Sequence, residues 1–197
     1  MLSAQIIATL HDRLTAEWHE VNRDLPPSAD RFLALVEQQH LSNFELWHEE
    51  DRARMPSATD AEIAHVKRNI DRINQRRNDL AEQCDSLLLA FLADRALPDP
   101  AAELHSETPG LIIDRLSILS LKLFHTRQEI ERADAPPGHS ERNRERSRIL
   151  VEQRSDLVEC LDRLWTQVLN GQRRVKQYRQ LKMYNDPTLN PVVYRRS

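Results

Sequence analysis

The sequence is poor in glycine and in aromatic residues, with three glycines and 5% Phe, Trp and Tyr among 197 residues. Charged residues, by contrast, make up 30% of the chain. This composition disfavours sheets and favours long helices with charged outer faces. The length suits one domain with a substantial core. We therefore expect a single all-α domain over residues 1–197.

Cysteines and long apolar runs are also scarce. Cys84 and Cys160, the two cysteines, both occupy apolar helical positions, which predicts core thiols in a reducing compartment. No apolar run approaches the roughly 18 residues of a membrane span, and MLSAQIIATLHDR lacks the basic leader of a signal peptide. A net charge of -3 gives no general attraction to nucleic acid. The sequence predicts a cytoplasmic protein without a membrane span or a nucleic-acid partner.

Apolar spacing and capping residues predict five long helices. A first helix ends before Pro26, and Ser28 caps a second. Thr59 and Glu62 form a capping-box pattern, and Thr108 caps a helix that begins with proline. The helices after the first are expected over residues 28–54, 59–94, 109–133 and from 140 onward. Short loops between long helices favour an up-and-down bundle, followed here by an irregular C-terminal tail.

The fourth predicted helix is the central one. Nine of the fourteen residues in LIIDRLSILSLKLF, residues 111–124, are large and apolar, and they surround the helix. Such a helix is usually buried on all sides. Asp114, Arg115, Lys122 and His125 nevertheless share one arc of it. Buried charges are costly unless they are paired. We therefore expect Asp114 and Arg115 to be largely buried, and at least one of them to bond to a side chain of the third helix.

The third helix carries a polar stripe beside its apolar arc. The stripe consists of Lys67, Asp71, Asn74, Asn78 and Asp85. Arg77 projects into the middle of the apolar arc itself. Two interpretations follow: a structural network with Arg115 and Lys122, or one side of a ligand site between helices.

The second helix contains LWHEED, which places Trp47, His48, Glu50 and Asp51 within about one turn. One imidazole and two carboxylates suit a metal ion or general acid–base catalysis. A di-metal site built from Glu-x-x-His pairs is an alternative, and three such spacings occur: Glu37–His40, Glu45–His48 and Glu62–His65. The structural alternative is a half-buried histidine bonded to a neighbouring carboxylate.

SETPG, residues 106–110, precedes the central helix, whose free amides and dipole favour an anion. Either Glu107 supplies that anion or a phosphate binds there. The basic run from residue 172 onward is either a solvated helix end or one wall of a site for phosphate or acidic sugar.

Five motifs resemble a bacterial family known as domain of unknown function 4254. They are WHEED at 47–51, KRNIDRINQRRND at 67–79, SETP at 106–109, IDRLSILSLKLFH at 113–125 and KMYNDPTLNPVVY at 182–194. The resemblance implies a bacterial, all-helical protein whose relatives are often encoded among genes for lipopolysaccharide and other surface glycans. It also implies that the following polar residues belong to the family pattern, from which Glu45 is missing: Trp47, His48, Glu50, Asp51, Asp71, Asn74, Gln75, Asp79, Glu107, Asp114, Arg115 and His125.

Three functions are therefore open. The first is a ligand-binding or accessory protein of surface-glycan assembly, whose partner is a nucleotide-sugar, a sugar phosphate or a glycan-assembly enzyme. The second is a metal- or acid–base-dependent enzyme for a phosphorylated or sugar substrate, with His48, Glu50, Asp51 and Glu107 as catalytic candidates. The third is a structural interaction module. The expected ligand-binding residues are Trp47, Lys67, Asp71, Asn74, Gln75, Asn78, Asp114, Arg115, Lys122, His125, Tyr184, Asn185 and Asp186.

Overall fold

A computed structural model describes residues 2–20, 28–179 and 188–194. Within these residues lie five long helices: α1 Ala4–Glu20, α2 Arg31–Arg52, α3 Asp60–Ala93, α4 Pro109–Glu131 and α5 His139–Leu169. Two short parallel strands, β1 Glu103–Leu104 and β2 Arg173–Arg174, and a short helix α6, Pro191–Tyr194, complete the described structure. The predicted all-α bundle is confirmed. None of the helices in the described part has an apolar stretch long enough to cross a bilayer.

Local sequence determines where the helices begin. The capping box is present at α3, where the Glu62 amide donates to Thr59 Oγ1 and the Thr59 amide donates to the Glu62 carboxylate. Thr108 caps α4 as predicted. At α2 the cap is Asp30 and not Ser28, because the Asp30 carboxylate accepts both the Phe32 and the Leu33 amides.

Helix α4 lies at the centre of the bundle. It contacts α1, α2, α3 and α5, and its aliphatic residues Ile112, Ile113, Leu116 and Leu121 are buried. The prediction of a largely buried central helix is therefore confirmed. Cys84 lies in the same core, whereas the prediction of a buried Cys160 is wrong: it is exposed on the outer side of α5.

The N-terminus of α4 is held against α3 by a buried carboxylate. Asp85 accepts hydrogen bonds from Thr108 Oγ1 at 2.5 Å and from the Gly110 amide at 2.7 Å. Burial raises the pKa of Asp85 to about 6, although these two bonds oppose the rise. The residue thus satisfies a helix end, which explains one polar member of the α3 stripe without invoking a ligand.

Gly110 permits this close approach. A Cβ atom at this position would lie 2.5 Å from the Ala81 carbonyl oxygen and 2.9 Å from the Asp85 carboxyl group. Because the first contact is with backbone, α3 and α4 would have to separate to accept any side chain.

We expect Gly110→Ala to destabilise the protein by about 1–3 kcal/mol, the usual cost of overpacking. Urea denaturation followed by circular dichroism measures the loss. Arg127→Ala, at an exposed position on the same helix, is the control and should change stability by less than about 0.5 kcal/mol. Equal stability of Gly110→Ala and wild type would contradict the tight α3–α4 contact.

Asp85 should also give the protein a specific pH dependence. Its folded-state pKa of about 6 lies above the ordinary aspartate value of 3.8, so the folded state binds the proton more tightly. Stability is therefore lost as the pH rises from about 4 to about 6, by an amount of the order of 2 kcal/mol. Asp85→Asn should lack this loss, and unfolding titrations of both proteins across that range measure the difference. Parallel pH profiles would contradict the assignment.

Candidate functional site

The polar arc of α4 is centred on Asp114. Its side chain is 14% exposed. It accepts hydrogen bonds from Gln39 and Asn43 of α2, and Arg77 Nε of α3 lies 3.5 Å away. Burial raises the pKa of Asp114, while the positive charge of Arg77 and the two amide bonds lower it. The predictions that Asp114 is buried and meets the third helix are confirmed.

Arg115 and Lys122 do not belong to this buried network. The Arg115 side chain is 54% exposed and donates to both Glu107 carboxylate oxygens at 3.0 Å, and Lys122 is exposed. The prediction that Arg115 is buried is wrong. Long basic side chains can cover an apolar surface with their stems while the charged end stays in water. Glu107 therefore supplies a local partner at the start of α4.

Most of the predicted α3 stripe is likewise surface. Lys67 pairs with Asp71 one turn away, and Gln75 donates to Asp79, both at exposed positions. Asn74 and Asn78 are half-buried. Exposed pairs at this spacing contribute only a few tenths of a kcal/mol. Tyr184, Asn185 and Asp186, which were expected to bind a ligand, lie outside the described residues.

Three histidines from three helices meet beside the central helix. They are His19 of α1, His48 of α2 and His125 of α4. One ring nitrogen of each histidine lies within 4.8 Å of those of the other two. The ring centroids are 5.1 Å apart for His19 and His125 and 5.4 Å apart for His19 and His48. All three side chains are half-buried. This is the three-histidine cluster.

The hydrogen bonds of two of these histidines leave Nε2 free to bind a metal. His19 Nδ1 lies 2.7 Å from the Thr15 carbonyl oxygen, and His125 Nδ1 lies 3.1 Å from Gln128 Oε1. Both oxygens are acceptors, so each Nδ1 carries the proton and each Nε2 keeps its lone pair. Both Nε2 atoms are buried and have no hydrogen-bond partner among the described residues. An acceptor on the far nitrogen is the usual support of a metal-binding histidine.

The surroundings of the cluster are aromatic. Phe124 stacks on His19 with ring centroids 4.2 Å apart, and the Trp47 ring lies parallel to His125, 5° from coplanar and 4.7 Å away. Burial, with smaller contributions from neighbouring His19 and His48, lowers the pKa of His125, whereas Asp51 acts in the opposite direction. The lowered pKa of His125 favours its neutral form, which is the form that binds a metal.

A cleft lies between α2, α3 and α4, and it meets the cluster at Trp47, whose ring stacks on His125. Its volume is about 410 Å³, and Trp47, Glu50, Asp51 and Arg77 are among its lining residues. Glu50 pairs with Arg54 at 2.8 Å. Asp51 thus has access to the cleft and acts electrostatically on His125, which places a carboxylate beside the candidate metal ligands.

Other predicted partners of His48 lie elsewhere. Glu107 contacts Arg115, which is about three turns, or about 15 Å, from His125 along α4. Hence the structure does not bring Glu107 and His48 together. The glutamates of the Glu-x-x-His spacings are also engaged elsewhere: Glu37 with the Ser28 amide, Glu45 with Arg76 and Glu62 in the capping box. The residues grouped with His48 as candidate metal ligands are two histidines, His19 and His125.

A model of the family described as "Protein of unknown function (DUF4254)" matches residues 33–177. The chain belongs to this family. His48, His125, Asp51 and Asp114 of this DUF4254 protein lie within the matched residues, and His19 precedes them. No curated protein and no solved structure matches the chain.

The buried polar residues of this DUF4254 protein connect α1 to the Asp114 network. Thr15 Oγ1 donates to the His11 carbonyl, so it accepts from His40 Nε2 at 2.9 Å. His40 Nδ1 then accepts from Ser117 Oγ at 2.7 Å. Burial lowers the pKa of His40 to about 3, which keeps this histidine neutral and structural.

His19 was missed by the sequence analysis. Spacing along one helix can associate neighbouring residues, but the cluster draws one histidine from each of three helices. The one available clue was that α1 carries a histidine near its C-terminal end, at a position where the helix could meet the His48 turn.

Asp114→Ala should cost about 3–5 kcal/mol, because it leaves Arg77 half-buried without its counter-charge and deprives two amides of an acceptor. Thermal and urea unfolding measure the loss. Glu45→Ala removes the solvent-accessible pair with Arg76 and serves as the control, with an expected cost below about 1 kcal/mol. Similar stability of the two variants would show that the Asp114 network contributes little.

Proposed function

We propose that this protein binds one divalent transition-metal ion through His19, His48 and His125. The supporting observation is that the Nε2 atoms of His19 and His125 are buried without hydrogen-bond partners among the described residues. A ring nitrogen of each of these histidines also lies within 4.8 Å of one from His48. Buried polar atoms are rarely left unsatisfied without a reason. A bound cation would use both lone pairs.

The ligand set favours zinc or a similar metal. Imidazole nitrogens suit zinc, copper, iron and nickel, whereas magnesium and calcium prefer oxygen ligands. Two nitrogens bound to one zinc ion are at most about 4.2 Å apart, so ligand atoms within 4.8 Å of one another need only small side-chain rotations. Three histidines also leave one coordination position open, as catalytic zinc sites do.

We further propose that the site belongs to an enzyme. When bound, the ion would supply Lewis-acid chemistry to a ligand in the adjoining cleft. Asp51, at the cleft wall, is placed to exchange a proton with that ligand or with water, and Trp47 offers a flat surface for orientation. Cytoplasmic location, which the composition predicts, is part of the proposal. A role in bacterial surface-glycan assembly is also part of it and rests on the family resemblance. An accessory protein without catalysis is the competing function.

Protein purified without chelator should contain close to one equivalent of zinc or another transition metal by elemental analysis. Replacing any of His19, His48 or His125 by alanine should reduce the content at least tenfold, because loss of one of three ligands removes a coordinate bond. His65→Ala, at an exposed position on α3, is the matched control and should keep the metal.

The same variants test the wider role in cells. If the metal serves an enzyme of surface-glycan assembly, the three alanine variants should fold but fail to complement a deletion that has a surface-glycan defect, whereas His65→Ala should complement it. Less than a tenth of an equivalent of metal in wild type would reject the metal proposal. Full complementation by a metal-free variant would favour the accessory function.

A further inference from the structure

A second concave surface meets the cluster at His125, which lines it together with Trp47. It is a groove of about 400 Å³ between α4 and α5, and it is lined by Trp47, Lys122, His125, Arg146 and Ile149 among others. This is the α4–α5 groove. Its volume lies in the range of pockets that hold small metabolites. It shares His125 with the three-histidine cluster and Trp47 with the cleft.

The two positive charges of the groove, Lys122 and Arg146, have no carboxylate partner among the described residues. Lys122 forms no hydrogen bond or ion pair with any residue that the structure describes. Arg146 makes one side-chain contact, a 3.1 Å bond to Asn143 Oδ1. Glu129, the acidic residue of the lining, is already engaged by Arg132 at 2.9 Å and by His139 at 2.8 Å.

Four other arginines of α5, Arg144, Arg148, Arg154 and Arg163, pair with carboxylates. Arg144 pairs with Glu141 at 3.2 Å and Arg148 pairs with Glu145 at 2.6 Å, both outside the groove. The chain therefore supplies local carboxylate partners to these surface arginines and leaves two cations from different helices facing one groove. An anion between them would receive charge-assisted hydrogen bonds from both sides.

The remaining lining is apolar. Ile149 is 42% exposed, and the Trp47 ring is fixed by its stack on His125. A flat or apolar group can pack against these two side chains, while Lys122 and Arg146 bind an anion. The groove is thus complementary to both parts of an organic phosphate, its doubly charged phosphate group and its less polar organic part.

We propose that the α4–α5 groove binds a small phosphorylated ligand, with its phosphate between Lys122 and Arg146 and its organic part against Trp47 and Ile149. The inference deepens the proposed function, on which it rests, because it names the substrate class of a site whose metal ligand His125 lies in the groove wall.

Isothermal titration calorimetry on the full-length, metal-loaded protein tests the proposal, with inorganic phosphate and phenyl phosphate as probes. Phenyl phosphate should bind more tightly, because its ring can pack against Trp47. Lys122→Met and Arg146→Met should each weaken phenyl phosphate binding about tenfold or more, as loss of a charged hydrogen bond requires. Both residues are exposed, so melting temperatures should be unchanged.

Arg148→Met is the matched control, because it removes an arginine from the same helix outside the groove. It should leave the affinity unchanged. Wild-type affinity in the Lys122→Met, Arg146→Met double variant would overturn the proposal. An equal loss in Arg148→Met would also overturn it, since binding would then follow general charge.

Elemental analysis of the same samples separates this inference from the proposed metal function. If no preparation holds metal but phosphate binding still depends on Lys122 and Arg146, the anion groove stands and the metal function fails. If the histidines bind metal but the double variant binds phenyl phosphate normally, the groove proposal fails and the metal function stands.

Discussion

The burial of one carboxylate, Asp114, is the constraint on which this bundle depends. A charge on the central helix cannot leave water without compensation, and here the compensation comes from two other helices: Gln39 and Asn43 of α2 and Arg77 of α3. These contacts fix the relative positions of α2, α3 and α4. Apolar packing alone would tolerate several such arrangements, whereas a polar group is satisfied in few.

The same network extends to α1. Asn43 donates to Ser117 as well as to Asp114, and Ser117 continues through His40 to Thr15 of α1. The Thr15 carbonyl in turn accepts from His19. A connected series of hydrogen bonds thus runs from the central charge to a candidate metal ligand, so that the structural and the functional polar residues form one continuous system.

The sequence was most informative where the determining interaction is local. The Thr59–Glu62 capping box, the Thr108 cap and the apolar surround of α4 follow from residues within one or two turns. Asp114 could be predicted as well, because an acid on an all-apolar helix needs partners. The three-histidine cluster could not, since its members are remote in sequence and no spacing rule joins them. The burial of Arg115 was predicted wrongly, because a helical projection gives the direction of a side chain but not how far its charged end extends towards solvent.

The hydrogen bonds of Thr15 have a consequence for how α1 packs on the bundle. Thr15 contacts His40 on one side and, through its carbonyl, supports His19 on the other. If α1 slipped by one helical turn, about 5.4 Å, His40 would lose its partner and His19 would move farther than the 4.8 Å that now spans the cluster. The correct position of α1 along the bundle and the presence of all three histidines in the cluster therefore depend on each other. In any preparation, the fraction of chains with three converging imidazoles should equal the fraction in which α1 is packed in its correct register.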